Sequence, residues 1–227
     1  MKWFFSREQR LPVVEGYIAS TPRTYPKKRP VEELRFLVID TETTGFNIHR
    51  DKILSFAGVD VRGDRIDVAA MHDWMLYQED MPVTAAAEVH GILPSDTKSG
   101  LPEASMMDEL LPVLNGAIIV GHHVQFDASL LNNALLRRFR IELRNPTLDT
   151  AVLAMRALEA FAKTGYANQH PPTLDEVCTH LGIPMIDRHT AAGDAFTTAE
   201  LFLVLCARLR QRLKRPLLAG DLPIQKY

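Results

Sequence analysis

The 227-residue chain is long enough to bury a substantial hydrophobic core, and its 46% hydrophobic and 24% charged residues are typical of a soluble globular protein. No apolar run reaches the length of about 18 residues that a membrane span requires. The opening segment, MKWFFSREQR, returns to charge at Arg7, which is too early for a signal-peptide core. We therefore expect one large domain with short appendages.

Charge is distributed unevenly, although the formal net charge is only −2. Residues 1–30 hold seven Lys/Arg against two Glu, and residues 208–227 hold six Lys/Arg against one Asp, so the segment between them is strongly negative. Basic termini around an acidic centre fit a metal-dependent enzyme that acts on a polyanion, because the termini attract phosphate and the centre binds cations. Two solubilising tails would explain the same pattern equally well.

The two cysteines, Cys178 and Cys206, fall in apolar helical patterns and match no metal-binding spacing. Such residues are typical of reduced core thiols in a cytosolic protein. The expected location is therefore cytoplasmic.

Residues 1–33 predict a basic, Pro-containing N-terminal arm. This segment has a cationic run at 27–29 and four prolines, Pro12, Pro22, Pro26 and Pro30. Because prolines disfavour long helices and central strands, we expect extended chain with a short helix near Glu8.

Three strands are predicted at the start of a domain over residues 34–213. The apolar, β-branched runs at 35–41 and 52–61 and the looser alternation at 65–76 are typical of strands. The short turns between them indicate an antiparallel meander.

Beyond residue 84 the pattern alternates between helices and short strands. Short strands are predicted at 117–120 and around 147–148, and helices near 84–90, from 102, and at 126–138, 150–162, 173–183 (ending at Gly182) and 191–213. This order predicts an α/β domain with a mixed central sheet, three antiparallel strands followed by parallel strands, flanked by helices on both faces. Residues 214–227 are expected to form a short C-terminal tail.

Two acids end the first predicted strand, in the segment LRFLVIDTETTGF at 34–46. Because strand side chains alternate between faces, Asp40 and Glu42 point the same way, about 7 Å apart along the strand. Neighbouring carboxylates repel each other and raise each other's pKa unless a cation lies between them. Hard oxygen ligands of this kind suit Mg²⁺ or Mn²⁺. Two solvated acids at a strand end are the alternative.

Later acids occur in similar settings. Asp127 follows the strand at 117–120 and opens a helix, a junction where sites of α/β sheets often lie. Asp194 falls in the first turns of the last helix, among small residues that allow another backbone or a ligand to approach, and His189 lies just before it. Asp127 or Asp194 alone could simply stabilise a helix N-terminus. The indication of a functional site therefore comes from the joint pattern of the two strand acids, the acid at the junction and the histidine followed by an acid at a helix start.

In this order the segments DTETTG, GHHVQFD and HTAAGD resemble the DEDDh 3′–5′ exonucleases, a family that includes the proofreading epsilon subunit of bacterial DNA polymerase III. The segments VHGI at 89–92, Asp149–Thr150 and TLDEVCTHLGI at 173–183 are also similar to family segments, and the resemblance covers about residues 35–208. It implies a ribonuclease H-like fold. Two positions depart from the family pattern: His123 stands where Asn is usual, which puts a supporting hydrogen bond in doubt, and Leu93 stands where Thr is frequent.

The resemblance also implies a role for each matching residue. Two divalent ions, Mg²⁺ with Mn²⁺ as a substitute, would be held by Asp40, Glu42, Asp127 and Asp194. His189 would be the general base. The residues expected to lie against the terminal nucleotide are Thr43, Gly45, Phe46 and His90.

The expected activity is therefore hydrolysis of phosphodiester bonds at the 3′ ends of single-stranded DNA, releasing 5′-mononucleotides. An RNA-trimming or oligoribonucleotide exonuclease is the alternative, because discrimination of the sugar depends on the shape of the pocket. A non-catalytic nucleic-acid-binding module is more remote, because all five catalytic positions are present. Only 33 residues follow Asp194, which favours a nuclease acting alone, or with another partner, over the polymerase association of the epsilon subunit.

Overall fold

The computed structural model describes residues 10–80, 86–162 and 170–227. Their six strands form one sheet: β1 (Arg35–Thr43), β2 (Ile53–Arg62), β3 (Arg65–Met75), β4 (Ile118–Gly121), β5 (Thr147–Asp149) and β6 (Ile224–Gln225). The strand order is β3-β2-β1-β4-β5-β6. The meander β1–β3 is antiparallel, β1, β4 and β5 are parallel, and β6 is antiparallel to β5. The predicted mixed α/β sheet is confirmed.

Helices cover both faces of this sheet. They are α1 (Pro12–Ser20), α2 (Ala87–His90), α3 (Pro94–Thr97), α4 (Glu103–Val113), α5 (Gln125–Phe139), α6 (Thr150–Ala157), α7 (Leu174–Leu181) and α8 (Ala191–Leu213). One core contains Phe36 and Val38 of β1 together with residues of α6, α7 and α8. The other contains Leu37 and Ile39 together with residues of α1, α4 and α5. The alternation along β1 thus assigns its even-numbered side chains to the α8 face.

Some element boundaries differ from the predictions. The predicted helix at 150–162 ends at Ala157, because Leu158 is extended, and a 3₁₀ turn follows at Glu159–Phe161. The helix expected near 84–90 is seen as α2, whereas residues 81–85 lie outside the described residues, as does the helix predicted near Glu8. Within the described ranges, no helix is both long enough and apolar enough to cross a membrane.

The prediction of an extended N-terminal arm is wrong for residues 12–20. These residues form α1, which packs against α4, and its Val14 and Tyr17 are buried in the core that residues of α5 also enter. The Tyr17 hydroxyl donates to Asn145 Oδ1 at 2.7 Å and accepts from the Arg144 N–H at 2.8 Å. Proline at the first helical position is compatible with a helix, because its missing N–H would have no partner there.

The C-terminal tail likewise belongs to the domain. Ile224 and Gln225 pair with β5, and Leu217, Ala219 and Leu222 are buried. The segment also meets the N-terminal one, because the Ala219 N–H donates to Arg29 O at 2.8 Å and the Gly220 N–H donates to Lys27 O at 2.9 Å. The two basic segments therefore form one surface, around a cleft of about 410 Å³ whose lining includes four cations, Arg23, Lys27, Arg156 and Lys226.

Candidate active site

Asp40 and Glu42 lie at the carboxyl end of the central strand β1. They continue the even-numbered positions of Phe36 and Val38, so they occupy the face covered by α8. At that face they meet Asp194, which is buried in the first turn of α8. One oxygen from each of the three carboxylates lies within 4.8 Å of the others.

A close backbone contact brings the segment before α8 to this position. A Cβ atom at Gly193 would lie 2.2 Å from the Asp187 carbonyl oxygen, so only glycine fits there. The Gly193 N–H donates to Thr190 Oγ1 at 3.0 Å, which caps the helix. The expectation that the small residues admit another backbone is therefore confirmed at Gly193, and this packing positions His189 beside Asp194.

Burial and mutual repulsion disfavour the charged form of these acids. Burial, followed by the charges of Asp127, Asp194 and Glu42, raises the pKa of Asp40 well above its usual value. Burial, followed by the charges of Asp194 and Asp127, raises the pKa of Glu42 to about 7. Among the described residues Asp194 Oδ1 is also buried without a hydrogen-bond partner. The donor set therefore fits a divalent cation with a preference for oxygen ligands.

Asp127 lies beside this cluster rather than within it. It is buried in the first turn of α5, and its Oδ1 accepts a hydrogen bond from the Thr41 hydroxyl at 2.5 Å. Thr41 belongs to the odd-numbered face of β1, toward α5. Asp127 is nevertheless close enough for its charge to raise the pKa of Asp40. Asp127 from α5 thus adds a fourth carboxylate close to the three acids from β1 and α8.

His90 and His189 line one cleft of about 330 Å³ together with Glu42. The His189 side chain is exposed, its backbone φ is +62°, and its N–H donates to Asp194 Oδ2 at 3.3 Å. His90 Nδ1 accepts from the Ile92 N–H at 3.0 Å, and burial lowers the pKa of His90. The cleft therefore joins the acidic cluster to two imidazoles.

The loop after β1 contains the other predicted substrate contacts. The buried Thr43 hydroxyl donates to Gly45 O at 2.8 Å, and a Cβ at Gly45 would lie 2.7 Å from Asp51 Oδ2. Phe46 is 88% exposed, and its ring centroid lies 6.1 Å from that of Phe126. The loop is thus tightly held at its base and presents an aromatic face to solvent.

Two histidines that follow β4 have structural contacts. A 2.9 Å hydrogen bond joins Nδ1 of the His122 ring to the Thr150 hydroxyl, and His122 Nε2 lies 2.9 Å from Pro172 O. Burial is the main cause that lowers the pKa of His122 to about 4, so this imidazole is neutral. His123 has φ +60°, a conformation in which Asn is enriched, which gives a physical reason for the Asn usual at this position.

Arg188 was not among the predicted site residues. Its guanidinium donates to both carboxylate oxygens of Asp175, at 2.8 and 2.9 Å, and also to Asp194 Oδ2. The position of Arg188 next to His189 was the only signal in the sequence, because the contact depends on how α7 packs near α8.

Most of the sequence matches a known protein family. Residues 37–202 match the family described as Exonuclease (RNase_T). The chain belongs to this exonuclease family. Membership confirms the resemblance drawn from the sequence motifs and the classification of the chain as an exonuclease.

The relatives of this chain differ in how much of their own length the match covers. A DNA polymerase III subunit epsilon-like protein of Rhodobacter capsulatus is 34% identical over 187 residues, 81% of this chain and 25% of that protein. The DNA polymerase III subunit epsilon of Aquifex aeolicus is 25% identical over 190 residues, 84% of this chain and 89% of that protein. Exonuclease I of E. coli in complex with a dT13 oligonucleotide shares the fold, with a TM-score of 0.65 and 20% identity over 80% of this chain and 42% of that one. The chain thus spans a quarter of the length of the first of these relatives.

The raised pKa of Glu42 predicts that the contribution of this group to the stability of the metal-free protein is lost as the pH rises from about 4.5 to 7. Its pKa rises from 4.5 to about 7 on folding, so the folded state holds this proton more tightly and loses that advantage as the pH increases. The slope of the free energy of unfolding against pH, measured with urea in EDTA, should be more positive across this window for Glu42→Gln than for the wild type, because the variant lacks the loss that Glu42 contributes. Replacing the exposed Glu88 by Gln is the control and should leave the slope unchanged. Equal slopes for the wild type and Glu42→Gln would contradict a raised pKa of Glu42 in the folded protein.

Proposed function

We propose that the domain is a metal-dependent 3′–5′ exonuclease that removes 5′-mononucleotides from the 3′ ends of single-stranded DNA. The observation that carries this proposal is the cluster of Asp40, Glu42 and Asp194, in which Glu42 lines one cleft with the exposed imidazole of His189. Family membership supports the reaction class. The DNA named in the relatives' descriptions supports the choice of substrate.

The acidic side chains would hold two divalent ions, Mg²⁺ in preference and Mn²⁺ as a substitute. Asp40, Glu42 and Asp194 supply the clustered oxygens, and Asp127 supplies a carboxylate beside them. Such ions lower the pKa of a bound water and stabilise the oxygen that leaves in a phosphoryl displacement. Without cations the buried carboxylates would repel an anionic phosphodiester, so the carboxylates make activity dependent on metal.

His189 is assigned the role of general base. It is exposed at the rim of the cleft that Glu42 lines, and its backbone is fixed through the Asp194 carboxylate. Histidine is the most frequent side chain in this role, because its imidazole can accept a proton near neutral pH. His189 would remove the proton of the water that attacks the terminal phosphodiester.

The loop after β1 would receive the terminal nucleotide. The exposed Phe46 ring offers a stacking surface that is insensitive to base identity, since every base has a π-face. The hydrogen bond from Thr43 to Gly45 O holds the backbone that carries this ring, and His90 lines the same cleft as His189. A single-stranded or frayed end would be needed to reach these groups.

The basic surface formed by the two terminal segments would attract the rest of the strand. Among the described residues, Lys27, Arg156 and Lys226 form no ion pair with a carboxylate, so their charges are available to phosphates. Contacts of this kind are independent of sequence and weaken as salt increases.

We also propose a cytoplasmic location, supported by the free, buried thiols of Cys178 and Cys206.

A time course on 5′-labelled single-stranded DNA and matched RNA tests the activity. The wild-type protein should give a ladder that shortens from the 3′ end of DNA with Mg²⁺ or Mn²⁺ and no products with EDTA. Asp40→Asn should abolish the ladder, because it removes a charge from the centre of the cluster while preserving the size of the side chain. A ladder on RNA alone would assign the RNA alternative, and metal-independent products or retained activity of Asp40→Asn would refute the proposal.

His189→Asn should lower kcat by about 10²–10⁴-fold, the usual loss on removing a general base. Asn is chosen because it tolerates the positive φ at this position and so preserves the backbone. The change His180→Asn, at an exposed position of α7, is the matched control and should leave kcat unchanged. An unaltered rate and pH profile for His189→Asn would make His189 a structural residue.

A further inference from the structure

Arg188 links the acidic cluster to a neighbouring helix, and we propose that it is a positioning residue for Asp194. It would hold one oxygen of Asp194 and leave the other to bind a divalent cation. This inference rests on the proposed metal-dependent function, but it concerns a residue that the sequence motifs do not include.

The hydrogen bonds of Arg188 divide its guanidinium between two carboxylates. Its Nε and Nη2 atoms donate to Asp175 Oδ1 and Oδ2, at 2.8 and 2.9 Å. Its Nη1 donates to Asp194 Oδ2, which also accepts from the His189 N–H. Asp194 Oδ1, in contrast, is buried with no hydrogen-bond partner in the described part of the chain. The two oxygens of one carboxylate are therefore differentiated, one bound by the protein and one available to a ligand.

Helix α7 provides a rigid support for the Arg188 side chain. Asp175 is in the first turn of α7, whose N-terminus is closed by a capping box: the Thr173 N–H donates to Glu176 Oε2 at 2.7 Å, and the Glu176 N–H donates to Thr173 Oγ1 at 3.3 Å. The Arg188 side chain is only 20% exposed. Its planar fork is consequently fixed by α7 before it reaches Asp194.

The charges explain how a cation can adjoin a metal ligand without replacing the metal. Asp175 makes a two-point contact with Arg188 and offsets part of its charge, so the cluster of Asp40, Glu42 and Asp194 keeps its excess of negative charge. A lysine could not do the same, because a single ammonium lacks the fork that bridges two carboxylates. Arg188 thus contributes geometry in addition to its charge, which favours the ionised forms of Asp40 and Glu42 and lowers the pKa of each.

Two other roles would produce the same contacts. Arg188 could occupy the cation site in competition with the metal, or it could merely join α7 to the start of α8. Positioning predicts that metal binding weakens when Arg188 is removed, competition predicts that it strengthens, and a simple structural link predicts no change.

Mn²⁺ binding to the full chain, measured by isothermal titration calorimetry, distinguishes these roles. Arg188→Ala should weaken binding about 10–100-fold, the usual effect of losing a group that orients a metal ligand. Arg188→Lys should show a similar loss, because it retains the charge but not the fork. The control is Arg138→Ala, which removes a comparable two-point contact with Asp108 on the surface between α4 and α5 and should leave binding unchanged.

Unchanged or tighter Mn²⁺ binding by Arg188→Ala would overturn the proposal. Circular dichroism verifies folding, and if Arg188→Ala does not fold, Asp175→Asn weakens the same support and should also weaken Mn²⁺ binding. As a second readout, the Mg²⁺ concentration for half-maximal hydrolysis should rise with KM for DNA unchanged. If the wild type binds no Mn²⁺, the proposed function fails as well, whereas normal wild-type binding with no effect of either variant refutes the role of Arg188 alone.

Discussion

The repulsion between carboxylates at the end of β1 is the constraint on which the functional region depends. Asp40 and Glu42 share one face of a buried strand, and α8 adds Asp194 to the same face. Burial raises the cost of their charges, so the folded chain either retains protons on these groups or binds cations. The clustering of these carboxylates at the end of the central strand is electrostatically unfavourable in the absence of cations. Groups whose pKa values are shifted in this way are common in active sites.

The fold supplies the rigidity that such an arrangement needs. The strand β1 is fixed by pairing with β2 and β4, and hydrophobic cores pack against both of its faces. Gly193 lets the backbone at Asp187 press against the first turn of α8, and Arg188 ties that region to α7. Acids from three distant parts of the chain are thereby held at one strand end, although no two of the elements that carry them are adjacent in sequence.

Local sequence rules predicted the parts of this arrangement that depend on local geometry. The period of a strand placed Asp40 and Glu42 on one face, and the bounds 191–213 of the last helix agree with α8. Contacts that depend on tertiary packing were missed. The partner of Asp127 is Thr41, on the opposite face from Asp40, and the proline-containing segment at 12–20 is helical because Val14 and Tyr17 reach a core that the local sequence does not reveal.

If the acidic cluster at the end of β1 is a cation site, a divalent metal should bind among its carboxylates. Anomalous diffraction from crystals grown with Mn²⁺ tests it most directly, because the anomalous signal identifies the metal by element and position. We expect a manganese peak in contact with the Asp40, Glu42 and Asp194 carboxylates, with Asp194 still bound to Arg188. A fully occupied manganese site elsewhere, with no peak among these three side chains, would contradict it.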